Sequence, residues 1–400
     1  LIEGQGGRIQ ENIRLKIVNG RIADMLLPDL LGPDHSTGKY PELHNSGFLD
    51  LSEYTLLPGL FDAHLHLFMS GTGNMQIRKR QLNADFEGIK PTIARHLNRL
   101  INCGVVAIRD GGDYGGYARR YQSECLESDS IPIHLKTAGK AWKKPERYGE
   151  LIGRPPRAGE SLAEAISRDA ACADHVKIVQ SGLNSLSEFG KKTDPQFAPA
   201  ELHDGIRAAH ARGLKVMVHC NGTAPVRSAV EAGCDSIEHG FFMGTENLKR
   251  MADRGTVWVP TAVTMKAYSE AIPPDDPRAE ISRRNFEHQL VQIRTARELG
   301  VSVAVGTDSG SLGVHHGTAV RREVRILMEA GYPLAEAVRC ATANSAELMN
   351  LNELGSIQKG KAATWVAAKG KPEDLPDSLA SIRLFISGEE YLPPPVVESP

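Results

Sequence analysis

The order of apolar runs in this chain predicts an α/β fold: a (β/α)8 TIM barrel with a small β-sandwich domain formed by both chain ends. Three observations predict it. Short β-branched runs recur between residues 56 and 307, separated by stretches with helical apolar spacing, the signature of a parallel sheet wound with helices. Gly213, Gly233, Gly255 and Gly300 each stand between a helical stretch and the next run, where a left-handed helix-ending residue is wanted. At both chain ends the rhythm changes to strand-like runs that follow one another without helices.

The elements follow in order. Leu15-Lys16-Ile17-Val18 leads through Asn19-Gly20 into Arg21-Ile22-Ala23-Asp24-Met25, which reads as a hairpin closed by a type I′ turn. The eight barrel strands are expected at 56–66, 104–110, 131–138, 176–180, 214–220, 236–239, 256–260 and 301–307, with helices such as 199–212 and 286–299 between them. Residues 363–367 and 382–388 return to strand character. The expected domains are therefore 1–57 plus 355–400, a small β domain, and 58–354, the barrel. Pro393-Pro394-Pro395 reads as an exposed, extended tail.

Composition narrows the function. A chain of 400 residues, 41% hydrophobic and 24% charged with a formal charge of −2, offers no basic footprint for nucleic acid or an anionic membrane, so a small-molecule partner is expected. Self-association is left open. Six cysteines lie scattered without metal-type spacing and read as reduced thiols. No apolar stretch approaches the ~20 residues that span a bilayer, which points to the cytoplasm.

The chemistry is carried by strand ends. His64 and His66 are alternate residues of one strand, so their imidazoles point the same way and can grip one cation. His219, His239 and Asp308 stand at the ends of later strands, and in barrels of this type the C-terminal strand ends converge. Four neutral imidazoles and a carboxylate form a mixed donor set that suits Zn first and admits Mn, Fe or Co. Lys177, on the fourth strand, offers donors only and cannot ligate as an ammonium. It either extends to solvent or pairs with Asp174, or its amine is carboxylated by CO2 and the carbamate joins two metal ions. His239 could equally pair with the neighbouring Glu238.

With these residues in view, the chain closely resembles the amidohydrolase superfamily. Leu57-Pro58-Gly59-Leu60-Phe61-Asp62-Ala63-His64-Leu65-His66 is similar to its opening motif and Gly306-Thr307-Asp308 to its closing one. Ala173-Asp174-His175-Val176-Lys177-Ile178, His219 and Ser236-Ile237-Glu238-His239-Gly240 look most like its prolidase-like and imidazolonepropionase-like branch. The resemblance implies two divalent metal ions: His64, His66 and Asp308 hold one, His219 and His239 the other, and carboxylated Lys177 and a hydroxide bridge them. It also implies that Asp308 acts as general base and then general acid, with His239 beside it in the catalytic set.

The chain departs from that branch at the substrate. Leu183 stands where relatives often carry a second glycine after the lysine strand, and Lys140-Ala141-Trp142-Lys143-Lys144-Pro145-Glu146-Arg147-Tyr148-Gly149 replaces a Gly-Gly-His segment. This basic, aromatic loop either meets an anionic or aryl substrate or is simply solvated. Tyr148, Asn221 and His315 are the candidate substrate contacts. Four readings stay open: cleavage of a C–N bond (amide, dipeptide, carbamate, urea or cyclic amide), hydrolysis of an ester, lactone or phosphotriester, mononuclear deamination, and a non-catalytic barrel module.

Overall fold

Alternation and apolar runs do produce parallel ladders, but not with the boundaries the sequence suggests. The computed structural model describes residues 1–26, 49–169 and 173–392. In chain order the elements are β1 (Arg14–Val18), β2 (Arg21–Leu26), β3 (Tyr54–Pro58), β4 (Leu60–Leu65), α1 (Met75–Asn83), α2 (Phe86–Asn102), β5 (Val105–Asp110), α3 (Tyr117–Glu124), β6 (His134–Thr137), β7 (Ala141–Trp142), β8 (Gly153–Arg154), α4 (Leu162–Arg168) and β9 (His175–Val179). Then come α5 (Pro199–His210), β10 (Lys215–Cys220), α6 (Thr223–Glu231), β11 (Ser236–His239), α7 (Thr245–Arg254), β12 (Val257–Val259), α8 (Val263–Ala271), α9 (Pro277–Glu298), α10 (Thr318–Glu329), α11 (Leu334–Cys340), α12 (Ala343–Leu348), β13 (Trp365–Lys369), β14 (Ile382–Ile386) and β15 (Glu389–Tyr391).

Strands β4, β5 and β6 form one parallel sheet, and β12, β11, β10, β9, β7 and β8 lie in that order in another. The run expected as an eighth strand at 301–307 forms no ladder. It makes single parallel bridges, Val303 to Trp258 on one side and, just beyond the run, Ser309 to Leu65 on the other, so it spans from β12 to β4. Its backbone is bonded to both neighbours: the Trp258 N–H donates to the Ser302 carbonyl at 2.9 Å and the Ala63 N–H to the Val305 carbonyl at 2.8 Å.

The first predicted strand is two strands in two sheets. Leu56 and Leu57 belong to β3, which pairs antiparallel with β13, whereas His64 belongs to β4. The break falls at Gly59, where a Cβ would stand 2.6 Å from a Val106 methyl. The third predicted strand, 131–138, is shortened to β6 at His134–Thr137, and the short β7 follows beyond Gly139, whose φ is +68°. Strands β15, β14, β13 and β3 lie in that order in a further sheet, and β1 and β2 form a two-stranded sheet of their own. Two 3₁₀ turns, Pro372–Asp374 and Asp377–Ala380, stand between β13 and β14, where no helical turn was expected.

Local chemistry explains the remaining punctuation. Asn19 and Gly20 both have positive φ, as a type I′ hairpin between β1 and β2 requires. Gly213, Gly233, Gly255 and Gly300 all have φ between +68° and +88° at the ends of helices. Strands β4, β5, β9 and β11 are buried along their whole length, so they read as near-continuous apolar runs in which any polar residue needs a reason. The Pro-rich tail at 393–395 and Cys172 lie outside the described residues, and the other five cysteines are free thiols. Among the described residues no helix is long and apolar enough to cross a membrane.

Candidate metal centre

The first cluster comes from β4 and the bridging segment. His64 is 1% exposed at the end of β4 and His66 follows it by two residues. The Asp308 backbone N–H donates to the His64 carbonyl at 2.7 Å, with φ at Asp308 of +54°. Asp62 sets that approach: one oxygen accepts the Thr307 N–H at 3.0 Å and the other the Thr307 hydroxyl at 2.6 Å. Asp308 Oδ1 then stands 3.6 Å from His64 Nε2 and 3.5 Å from His66 Nε2, and the ligating atoms of all three residues lie within 4.8 Å of one another.

The second cluster comes from β9, β10 and β11. The parallel register sets Met217 opposite Lys177 and Cys220 opposite His239, so the strand ends bring His219 and His239 together, with ring centroids 4.6 Å apart. His239 in turn lies 4.9 Å from the His64 ring. The five predicted imidazole and carboxylate donors therefore meet in one buried region. Lys177, 1% exposed, has no hydrogen-bond partner for its Nζ. Asp174, its alternative partner, is occupied by Lys136 at 3.3 Å and by Gln122 at 2.9 Å.

Each ring is oriented through one nitrogen. His64 Nδ1 lies 2.6 Å from Glu238 Oε2, His66 Nδ1 donates to the Gly112 carbonyl at 2.8 Å, and His239 Nδ1 is 2.7 Å from the Thr261 hydroxyl. His219 is held the other way, Nε2 to the Gly182 carbonyl at 3.3 Å. The other nitrogen of every ring is thus left for a cation, the arrangement in which outer partners fix tautomer and orientation. Glu238 contacts His64, not the adjacent His239, and its second oxygen takes the Arg109 guanidinium at 2.9 Å. Arg109 also donates to the Ala63 carbonyl at 2.7 Å.

Burial governs the electrostatics. It holds His64 and His239 well below the usual imidazole value, His66 down to about 4 and His219 to about 3, with the Lys177 charge adding in the same direction. Burial thus favours the neutral form of all four rings at pH 7, the form in which an imidazole can ligate. Burial lowers the Lys177 ammonium to about 8, against the opposing pull of Glu238, and raises the Asp308 carboxyl to about 7.

The rim is less fully anticipated. Tyr148 packs its ring 5.2 Å from His219, and burial together with the Asp308 charge pushes its hydroxyl up. Asn221 is buried and already used: its Oδ1 accepts the Phe241 N–H at 3.0 Å and its Nδ2 reaches the Gly182 carbonyl at 3.3 Å. His315 is exposed, and the charges acting on its ring are those of Arg99 and Arg322. In the basic loop, Lys143 donates to the Lys144 and Arg147 carbonyls, while Lys144 pairs with Glu201 at 2.7 Å. Several residues went unnoticed in the sequence. Ser311 donates to Asp308 Oδ2 at 3.0 Å, and Arg78 donates to the Ser70 and Gly310 carbonyls at 2.6 and 3.0 Å. No spacing announces them, because they come from α1 and from an irregular loop; Arg109 alone left a trace, as a charge inside an apolar run.

With this geometry in hand, the amidohydrolase family model matches residues 55–391. The chain belongs to the amidohydrolase family. Ochratoxinase of Aspergillus niger is 23% identical over 359 residues, covering 80% of this chain and 71% of that protein. Imidazolonepropionase of Rhodococcus jostii is 25% identical over 345 residues, covering 80% and 75%. A solved structure of a Xaa-Pro dipeptidase with methionine in its active site matches this amidohydrolase with a TM-score of 0.80 and 25% identity, covering 98% of this chain and 97% of that one. The resemblance drawn from the opening and closing motifs therefore holds, and the chain is an enzyme of a hydrolase family.

Proposed function

We propose that this amidohydrolase cleaves a C–N bond of a small amide-type substrate with two divalent metal ions, Zn first among them. The carrying observation is Lys177, a buried amine without a partner beside five converging donors. An uncompensated buried ammonium is costly, and a pKa near 8 leaves enough free amine at neutral pH to react with CO2. The donor set fits: His64, His66 and Asp308 would hold one ion, His219 and His239 the other, with a Lys177 carbamate between them. Bound ions would polarise a substrate carbonyl and bring the pKa of water toward ~7.

The protein's own part is proton management. Asp308 Oδ1 faces the imidazoles, Oδ2 accepts from Ser311, and the carboxylate charge helps to raise the Tyr148 and Tyr268 hydroxyls after burial. Beside the imidazoles and free at Oδ2 apart from Ser311, Asp308 would take a proton from the attacking water and return it to the leaving nitrogen. Residues 58–354 are read as a (β/α)8 barrel and the two chain ends as a β-sandwich domain beside it. The relatives named above support the C–N reading over ester, lactone or phosphotriester cleavage, since dipeptide cleavage breaks such a bond.

Metal content per chain tests this, measured by elemental mass spectrometry on protein prepared without chelators in bicarbonate. Two equivalents are expected; one would favour a mononuclear hydrolase or deaminase, and none that can be restored a non-catalytic role. Asp308→Asn is expected to keep the fold and lower kcat by at least ~10²-fold, the usual worth of a positioned acid–base group. Near-normal turnover in that variant would remove Asp308 from the chemistry.

A further inference from the structure

Helix α9 buries amides where an amphipathic helix would bury aliphatic side chains. Asn285 and Gln289 are fully buried and Gln292 is 6% exposed. Asn285 donates to the Ser185 carbonyl at 2.9 Å, whereas the two glutamines turn to the backbone at the end of β11. Gln289 Nε2 donates to the His239 carbonyl at 2.6 Å and reaches the Pro260 carbonyl at 3.3 Å. Gln292 Nε2 donates to Gln289 Oε1 at 2.8 Å and to the Gly240 carbonyl at 3.2 Å, while its own oxygen accepts the Gly244 N–H at 3.2 Å. From β12, the buried Trp258 Nε1 adds a second donor to the His239 carbonyl at 3.1 Å.

His239 has φ of +68°, a left-handed conformation that few non-glycine residues adopt, and Gly240 continues it at +63°. This turn ends the strand and swings the His239 ring against His64 and His219. It also aims the His239 carbonyl away from the ladder, into the buried seam between β11 and α9, where a carbonyl without a donor is unfavourable. Two side-chain donors meet it there, and Gln292 holds Gln289 in place by occupying its oxygen.

We infer that Gln289, braced by Gln292 and assisted by Trp258, is a positioning residue for His239: its amide holds the left-handed peptide that aims this imidazole at the second metal ion. It touches neither substrate nor metal. The inference rests on the two-ion reading only for its functional consequence, because the backbone geometry stands apart from any ion.

The test is a competitive chelator titration of Zn into wild type, Gln289→Met and Trp258→Phe. Methionine keeps length and volume but cannot donate. In Gln289→Met the affinity for one of two Zn equivalents is expected to fall about 10–100-fold, the usual cost of losing an outer partner of a ligand, with the other equivalent unchanged. Trp258→Phe is expected to show the same selectivity to a smaller degree, and serves if Gln289→Met does not fold. Equal weakening of both equivalents, or none in either variant, overturns the inference. A crystal structure of metal-free Gln289→Met asks the same question independently of metal stoichiometry. A His239 peptide that leaves the left-handed region upholds the positioning role even if wild type binds one ion, and an unmoved His239 overturns it even if wild type binds two.

Discussion

The two halves of the centre are held by different physics. His64, with His66 and Asp308, is backed by charge: Glu238 grips His64 Nδ1 and is itself neutralised by Arg109, both almost wholly buried. The half built from Lys177, His219 and His239 is held by neutral groups, namely the Thr261 hydroxyl, the Gly182 carbonyl and the amides of α9, and contains one cationic side chain with no partner. The first half is thus organised by an ion pair already present in the chain. The second is organised by hydrogen bonds and left electrostatically incomplete. The difference teaches that the lysine half depends on what it binds, whereas the other half is built in advance.

Removing the charge that backs the first half should be the harshest way to break this contrast. Arg109→Met deprives the buried Glu238 of its only guanidinium, leaving it His64 and the Ser236 hydroxyl, and the expected loss is about 3–5 kcal/mol in denaturant unfolding, the range for breaking a buried pair. A change within error would mean that the Arg109–Glu238 contact carries no weight in the stability of this half. In the second half, Lys177→Ala should leave the apo fold as stable as wild type or more so, because an unsatisfied amine is deleted. Its cost appears with metal: one equivalent fewer by elemental analysis, activity lower by at least ~10²-fold on the scale of a lost catalytic group, and partial recovery with added short carboxylates. Full metal content in the untreated variant would contradict the bridging role.

A smaller effect sharpens the comparison away from the centre. Glu323, from α10, is buried and accepts the Ala262 and Val263 N–H groups at 2.9 and 2.8 Å, capping α8. Burial raises its carboxyl to about 8 despite those bonds. The folded state then holds more protons than the unfolded chain, so this group's contribution is complete at low pH and is lost as pH rises toward 8. Subtracting the stability–pH profile of Glu323→Gln from that of wild type should give a curve that falls between about pH 5 and 8, by about 1.4 kcal/mol for each unit separating the two pKa values. A flat difference would place the carboxyl in its ordinary range.

Much of this was legible in the linear chain. His64-Leu65-His66 and Asp308 read as ligands because alternation and strand ends are local properties, and the helix-ending glycines read correctly for the same reason. The strand limits were less legible. The 56–66 stretch looks like one run because both its sheets demand apolar residues, and only the Gly59 contact with Val106 shows where one ends and the other begins. The 301–307 run has the composition of a strand yet makes only single bridges, since its neighbours β12 and β4 approach it over short stretches. In the site, a Glu238–His239 pair was the alternative to ligation by His239, suggested only by adjacency in sequence. Successive strand residues point to opposite sides, and the actual partner of Glu238 stands on β4.

By itself, then, the sequence determined the family, the alternation of strands and helices, and which side chains are the candidate donors, because these depend on residue type and short-range period. Only the tertiary structure decided which nitrogen of each imidazole is free, that Arg109 neutralises the carboxylate behind His64, that Lys177 lacks a partner, and that amides from α9 hold the left-handed turn at His239. Those features join residues far apart in the chain, and their energies come from burial and the direction of single hydrogen bonds, neither of which leaves a periodic mark in the order of residues.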